Sequence, residues 1–197
     1  MKIIGVTGPS GAGKGELCRL FSTKNVPYID TDSLYHKLLT PPSQCLDELV
    51  LTFGEIILNE NKTLNRKKLA SIVFTDAAQL KVLNSITHKY ILAKTRELLK
   101  SYIEKDYQFA VIDAPLLIES GFSNECDIII SVLANKNVRK SRIIERDKIN
   151  IKEAEKRLSA QNSDKFYIDK SNYVIYNNGN LDDFSKDFYD IFKKIGD

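Results

Sequence analysis

Apolar and polar positions along the chain fall into two alternating rhythms. Short, nearly continuous apolar runs stand at Lys2–Thr7, Val26–Asp30, Phe109–Asp113, Asp127–Leu133 and Tyr173–Tyr176. Runs of this length, rich in Ile and Val, predict strands. The lack of strict alternation in Ile128-Ile129-Ile130-Ser131-Val132-Leu133 predicts cover on both faces. Stretches of helical period lie between them, so the chain predicts a parallel sheet with helices on both sides. The helix after the first strand shows an amphipathic start in Glu16-Leu17-Cys18-Arg19-Leu20-Phe21. A longer one begins at Asp76, with Leu80, Leu83, Thr87, Tyr90, Ile91 and Leu98 along one stripe. The last has Asn180 as N-cap, Asp182 and Asp183 in its first turn and Lys193 and Lys194 in its last, all matched to the helix dipole. Its buried stripe is Phe184, Phe188, Ile191, Phe192 and Ile195.

Two gaps between strands exceed what a crossover needs. Ser33 to Asp106 is mostly helical and reads as an acceptor-side subdomain; Asn135 to Asn172, rich in Lys and Arg, reads as a lid. The expected organisation is a single domain over residues 1–197, with a core of 1–32, 107–134 and 171–197, a helical insertion at 33–106 and a lid at 135–170.

Composition narrows the class without naming it. Apolar residues at 43% and charged ones at 28% describe an ordinary globular chain. A net charge of +3, with both signs interspersed, gives no reason to expect a nucleic-acid partner. Cys18, Cys45 and Cys126 have neither metal-type nor disulfide-type spacing, which suits a reducing cytoplasm. No apolar run approaches the ~18–20 residues of a membrane span, and the first residues go straight into a strand, so neither a membrane partner nor a signal peptide is expected. The expectation is a cytoplasmic monomer or weak homo-oligomer.

Chemistry concentrates at Gly8-Pro9-Ser10-Gly11-Ala12-Gly13-Lys14-Gly15. This fits G-x-x-x-x-G-K, a loop whose amides cradle phosphates while a lysine reaches the β and γ oxygens. A strand before it and a helix after it aim a helix N-terminus at the anion. The position after Lys14 is Gly15 and the next is Glu16, where such loops place hydroxyls on Mg²⁺. Asp30-Thr31-Asp32 ends the second strand, where ligands of open parallel sheets gather. One of these acids could orient an attacking hydroxyl and hold magnesium through water, or simply cap the next helix. Asp113 closes another apolar strand and could hold magnesium or only bind the following turn. Pro115-Leu116-Leu117-Ile118-Glu119 then forms an apolar bend, either pocket wall or cover for the core. Arg139, Arg142 and Arg146 share one face of a helix, either solvated or closing on phosphates. His88 and Arg66 have no chemistry on spacing alone.

Taken in order, these stations are Gly8–Lys14, Asp30–Asp32, Phe53-Gly54, Leu64–Arg66, His88, Pro115–Glu119, Arg142–Asp147, Ala160-Gln161 and Asn177–Gly179. The series resembles the dephospho-coenzyme A kinase family over almost the whole chain. The resemblance implies an α/β, P-loop NTPase-type three-layer fold: a five-stranded parallel sheet with helices on both faces, a helical coenzyme A subdomain and a lid. It implies transfer of the ATP γ-phosphoryl to the 3′-hydroxyl of dephospho-CoA, with Mg²⁺ accompanying ATP. Gly8, Gly11, Ala12, Gly13, Lys14, Gly15, Glu16, Arg142, Arg146 and Asn177 would then bind ATP. Asp32, Lys14 and Arg142 would be catalytic, with Asp32 the base and the residue nearest magnesium through water. Asp32, Arg66, His88, Pro115, Leu116, Leu117 and Glu119 would bind the acceptor. The chain departs from the family at Gly15-Glu16 (usually Ser-Thr), at Lys89 after His88 (usually Pro), at Ile118 (usually aromatic) and at Tyr176 (commonly an acid). The alternatives are an adenylate-kinase-like enzyme, a GTP-dependent switch, whose guanine motif Asn135-Lys136-Asn137-Val138 lacks the acid, and a nucleotide-binding relative without turnover.

Overall fold

A computed structural model of the protein describes Met1–Gly196. Its strands are β1 (Lys2–Thr7), β2 (Tyr28–Asp30), β3 (Phe109–Asp113), β4 (Ile128–Leu133) and β5 (Tyr173–Tyr176), forming one parallel sheet in the order β2-β3-β1-β4-β5. The helices are α1 (Lys14–Thr23), α2 (Thr31–Leu38), α3 (Gln44–Phe53), α4 (Arg66–Val73), α5 (Ala77–Ile103), α6 (Lys136–Asp147), α7 (Ile151–Ser159), α8 (Asp164–Asp169) and α9 (Leu181–Gly196).

The expected strands all form, with two shifted starts. β2 begins at Tyr28 because Val26 belongs to the turn that ends α1: its amide donates to Phe21 O at 3.2 Å, and Asn25 has φ 56°. β4 begins one residue after Asp127, whose carboxylate instead accepts the Ile3 amide at 2.6 Å. Asp76 lies just outside α5 and accepts from the Ala78 amide at 2.8 Å, as an N-terminal cap does.

The chain separates into two compact units, one of Met1–Ile29 with the chain from Tyr102 onward, the other Asp30–Ser101. In the first, the pleat sorts side chains to opposite faces of the sheet. Ile4, Val6, Val111, Ile130 and Val132 join Leu17 and Phe21 of α1 and Phe184 and Phe188 of α9 in one buried cluster. Phe21 and Phe188 meet edge to face at 5.0 Å, a geometry that favours aromatic pairs by about 0.5–1.5 kcal/mol beyond burial. On the other face Gly5 lies under Leu117 and Cys126, and Ser131 shares a hydrogen bond with Ser171 at 2.6 Å. Ser171 in turn donates to Tyr167 O of α8 at 2.8 Å.

The second unit packs Leu39, Leu49, Ile57, Leu69, Val73, Leu83 and Ile86 into a helical core. Each helix start carries a polar cap: Asp30 accepts from Ser33 N, Ser43 from Leu46 N and Asn65 from Lys68 N. α3 and α5 are pinned through Glu48, which accepts from Lys89 Nζ at 2.5 Å and from Tyr90 Oη at 2.7 Å. Those hydrogen bonds hold the Glu48 carboxyl below its ordinary 4.5 and the Lys89 ammonium above its ordinary 10.5. A depressed carboxylate stabilises the fold above its unfolded pKa, and that part is lost as pH falls through the folded pKa. A raised ammonium loses its part as pH climbs through its folded value. Glu48→Gln is therefore expected to lower Tm at pH 7 and to flatten the loss of Tm on acidification below about pH 4.5. Parallel thermal melts of parent and variant from pH 3 to 8 check this; curves of the same shape at every pH would contradict it.

Candidate active site

The phosphate loop is built by close approach of backbone to backbone. Gly8 has φ 137°, and a Cβ there would stand 2.2 Å from the Val132 carbonyl oxygen. Gly13 has φ 106° and caps α1, so the helix begins directly after the loop with its first amides unmatched by intrahelical acceptors. A Cβ on Gly13 would meet Asn177 Nδ2 at 2.1 Å. Within the loop Ala12 N donates to Pro9 O at 3.2 Å, and Lys14 Nζ folds back to Gly8 O at 2.9 Å. A left-handed turn feeding a helix N-terminus, with an ammonium beside it, is the geometry that concentrates positive potential on a phosphate chain.

The guanidinium groups of α6 surround the outer side of this loop. Arg142 Nη1 donates to Gly11 O and Ala12 O at 3.3 Å each and to Asn177 O at 3.0 Å, while Nη2 donates to Asn177 Oδ1 at 3.0 Å. Asn177, just past β5 and 3% exposed, thus joins Arg142 to the loop. Arg139, the buried member of the stripe, donates through Nε to Ser10 O at 3.2 Å. Arg146, more exposed, binds Asp147 at 2.7 Å and reaches Ser10 Oγ at 3.4 Å. Asp147 also pairs with Arg157 of α7, and the hydrogen bond from Arg146 holds its carboxyl below the usual range.

The sequence profile of the dephospho-CoA kinases matches residues 2–183. A Fusobacterium nucleatum protein described as dephospho-CoA kinase is 38% identical over 193 residues, covering 98% of this chain and 94% of that one. One from Lactobacillus johnsonii is 33% identical, covering 98% of both. The chain belongs to the dephospho-CoA kinase family. The solved Campylobacter jejuni dephospho-CoA kinase superposes with a TM-score of 0.73 at 26% identity, covering 99% of this chain and 98% of that one. The P-loop kinase fold and ATP-dependent phosphotransfer are thereby the family's ground plan.

Within that family, the remaining expected residues distribute unevenly. Asp113 ends β3 in register with Val6, and Ala114 N donates to Val6 O at 3.2 Å, so the acid stands beside the strand that delivers the loop. Thr7 Oγ1, at the end of β1, is buried without a hydrogen-bond partner. Asp30 spends an oxygen on the Ser33 amide at 2.9 Å, a capping role. Asp32 lies exposed in the first turn of α2. Of the Pro115–Glu119 bend, Leu116 is 59% exposed, whereas Leu117 is fully buried against Gly5. The Leu117 side chain therefore packs into the core under the strand glycine. Glu119 accepts from Asn162 Nδ2 at 2.6 Å.

In the second unit Arg66 and Tyr35 line a cavity of about 130 Å³ with Leu69, Val73, Phe74 and Leu83. Burial raises the Tyr35 hydroxyl above its ordinary value, so it stays a neutral donor. His88 sits half-buried on α5, and desolvation lowers its pKa from 6.5, so it is neutral at pH 7. Gly15 has open space where a side chain would be, and among the described residues no three acids or histidines cluster as a metal cage. The sequence places Ser10 in the loop, Gln161 among the family stations and Arg139 in the arginine stripe, but spacing alone does not tell which of the three arginines is buried.

Proposed function

We propose that the protein is a dephospho-CoA kinase: it moves the γ-phosphoryl of ATP to the ribose 3′-hydroxyl of dephospho-CoA, releasing ADP and giving CoA, the last step of coenzyme A synthesis. The observation that carries this reading is the Gly8–Lys14 loop, backed by α6 arginines, in a chain whose family relatives match it over nearly its full length. The loop amides and Lys14 bind the triphosphate. Asp32 accepts the proton of the 3′-hydroxyl as that oxygen attacks the γ-phosphorus. The bond from phosphorus to the β–γ bridging oxygen breaks, and ADP carries that electron pair away.

Magnesium comes with ATP. Mg²⁺ keeps several waters and binds through phosphates and one or two carboxylates, so a chain with Gly15 in place of a hydroxyl and with acids at strand ends fits it without a dedicated cage. Asp113 and, through water, Asp32 would hold the ion, whose charge offsets that developing on the phosphoryl oxygens. Arg66, neutral His88, Pro115, Leu116 and Glu119 bind the acceptor, whose apolar and anionic parts match that mixture. Residues 33–106 serve as the acceptor subdomain, and residues 135–170 as the lid, with Arg146 its phosphate-facing cation. The enzyme acts in the cytoplasm as a monomer or weak homo-oligomer.

A coupled ADP-release assay offering dephospho-CoA, AMP and nucleosides as acceptors tests the assignment. Turnover with dephospho-CoA at least about a hundredfold above the others in kcat/KM is expected, because buried groups matched to one acceptor discriminate strongly against those lacking its features. Preferred turnover of AMP would overturn it in favour of an adenylate-kinase-like enzyme.

A further inference from the structure

Arg139 is a guanidinium with three anchors and almost no solvent. It is 6% exposed, and its donors go to Ser10 O at 3.2 Å through Nε, Gln161 Oε1 at 2.6 Å through Nη2 and Asp164 Oδ1 at 3.4 Å through Nη1. Gly11 rests directly on this residue's main chain, since a Cβ there would meet Arg139 O at 2.7 Å and Cα at 3.0 Å. The acceptors belong to two different segments. Ser10 is in the phosphate loop; Gln161 and Asp164 flank the junction between α7 and α8, which Asn162 also ties to Glu119.

The consequence follows from peptide geometry. Ser10 C=O and Gly11 N–H belong to one planar trans peptide and point in opposite directions. A guanidinium that holds the carbonyl outward therefore turns the Gly11 amide inward, toward the anion. A buried charged donor left with its acceptors out of place is costly, so the α7–α8 junction and the loop hold one another through this side chain.

We propose that Arg139 is a positioning residue of the phosphate site: without touching the nucleotide, it sets the Ser10–Gly11 peptide for phosphate and makes ATP affinity depend on the docking of the α7–α8 junction. This rests on ATP being the ligand of the loop. Charge alone does not suffice, because a lysine lacks the planar fork that spans three acceptors.

The test is equilibrium ATP binding to the full chain by calorimetry, with kcat, KM and Tm measured alongside, for the parent, Arg139→Lys, Gln161→Ala and the double variant. Arg139→Lys is expected to weaken ATP binding about tenfold and to raise the KM for ATP, leaving the KM for the acceptor unchanged. Gln161→Ala is expected to weaken ATP binding about threefold, and the double variant to bind no more weakly than Arg139→Lys, since the two act through one network. A merely structural arginine would lower Tm and the active fraction while the folded protein kept its ATP affinity. ATP binding within about twofold of the parent in both single variants, or fully additive effects, would overturn the proposal. Should Arg139→Lys fail to fold, Gln161→Ala alone decides by the same twofold limit. A parent that binds no ATP would instead refute the kinase reading itself.

Discussion

Asp32→Asn is expected to turn over about 10²–10⁴-fold more slowly than the parent, while its equilibrium affinity for ATP stays within about twofold. The amide keeps the size and the polarity of the side chain but cannot take a proton from the acceptor hydroxyl. Asp30, the other acid at the end of β2, accepts the Ser33 amide at 2.9 Å, as a helix cap does. The loss corresponds to about 3–5 kcal/mol of barrier, the usual share of a general base and well below the ~8–23 kcal/mol that enzymes supply in total. Single-turnover kinetics separate the chemical step from product release, so the deficit must appear in the burst rate. A variant retaining more than about a tenth of parent turnover would remove Asp32 from the base role.

The second large effect belongs to Lys14. Lys14→Ala is expected to lower kcat/KM for ATP by about 10²–10³-fold, the cost of removing one aimed donor from a developing charge. The ammonium now folds over the loop to Gly8 O at 2.9 Å, so its loss removes a cation that lies against the loop without opening the core. Tm should change little. Lys14→Arg is expected not to restore activity, because a planar fork does not fill the place of a compact ammonium beside a crowded glycine turn. Restoration by arginine, or an alanine variant within about tenfold of the parent, would contradict the assignment of Lys14 to the terminal phosphate.

Much of the sheet could be read from the chain because its central strands β1, β3 and β4 are mostly buried, and apolar runs are the direct record of that burial. β1, β3 and β5 have the bounds that their apolar runs predict. β2 does not, because Val26 is apolar for a different reason: it plugs the turn that ends α1. The phosphate loop was equally legible, since its glycines are demanded by local backbone conformation. The need for glycine at Gly13 has a further source, the close approach of Asn177, which is 164 residues away in sequence. Contacts of that range leave no local trace. For the same reason the Pro115–Glu119 bend could not reveal that Leu117 lies under Gly5 while Leu116 faces outward; irregular segments carry no period that separates inside from outside. The arginine stripe shows the limit from the other side. A spacing of three and four residues places Arg139, Arg142 and Arg146 on one helix face, yet one is buried and one mostly exposed, and what decides is the packing of the loop against α6.

The central claim is that the loop around Lys14 presents the terminal phosphoryl of ATP to the 3′-hydroxyl of dephospho-CoA. Incubation with γ-³²P-labelled ATP, Mg²⁺ and dephospho-CoA, followed by positional analysis of the labelled product, tests it most directly. Label is expected on the ribose 3′-oxygen of CoA, in step with ADP release. Label on any other acceptor atom, or release of inorganic phosphate alone, would contradict it.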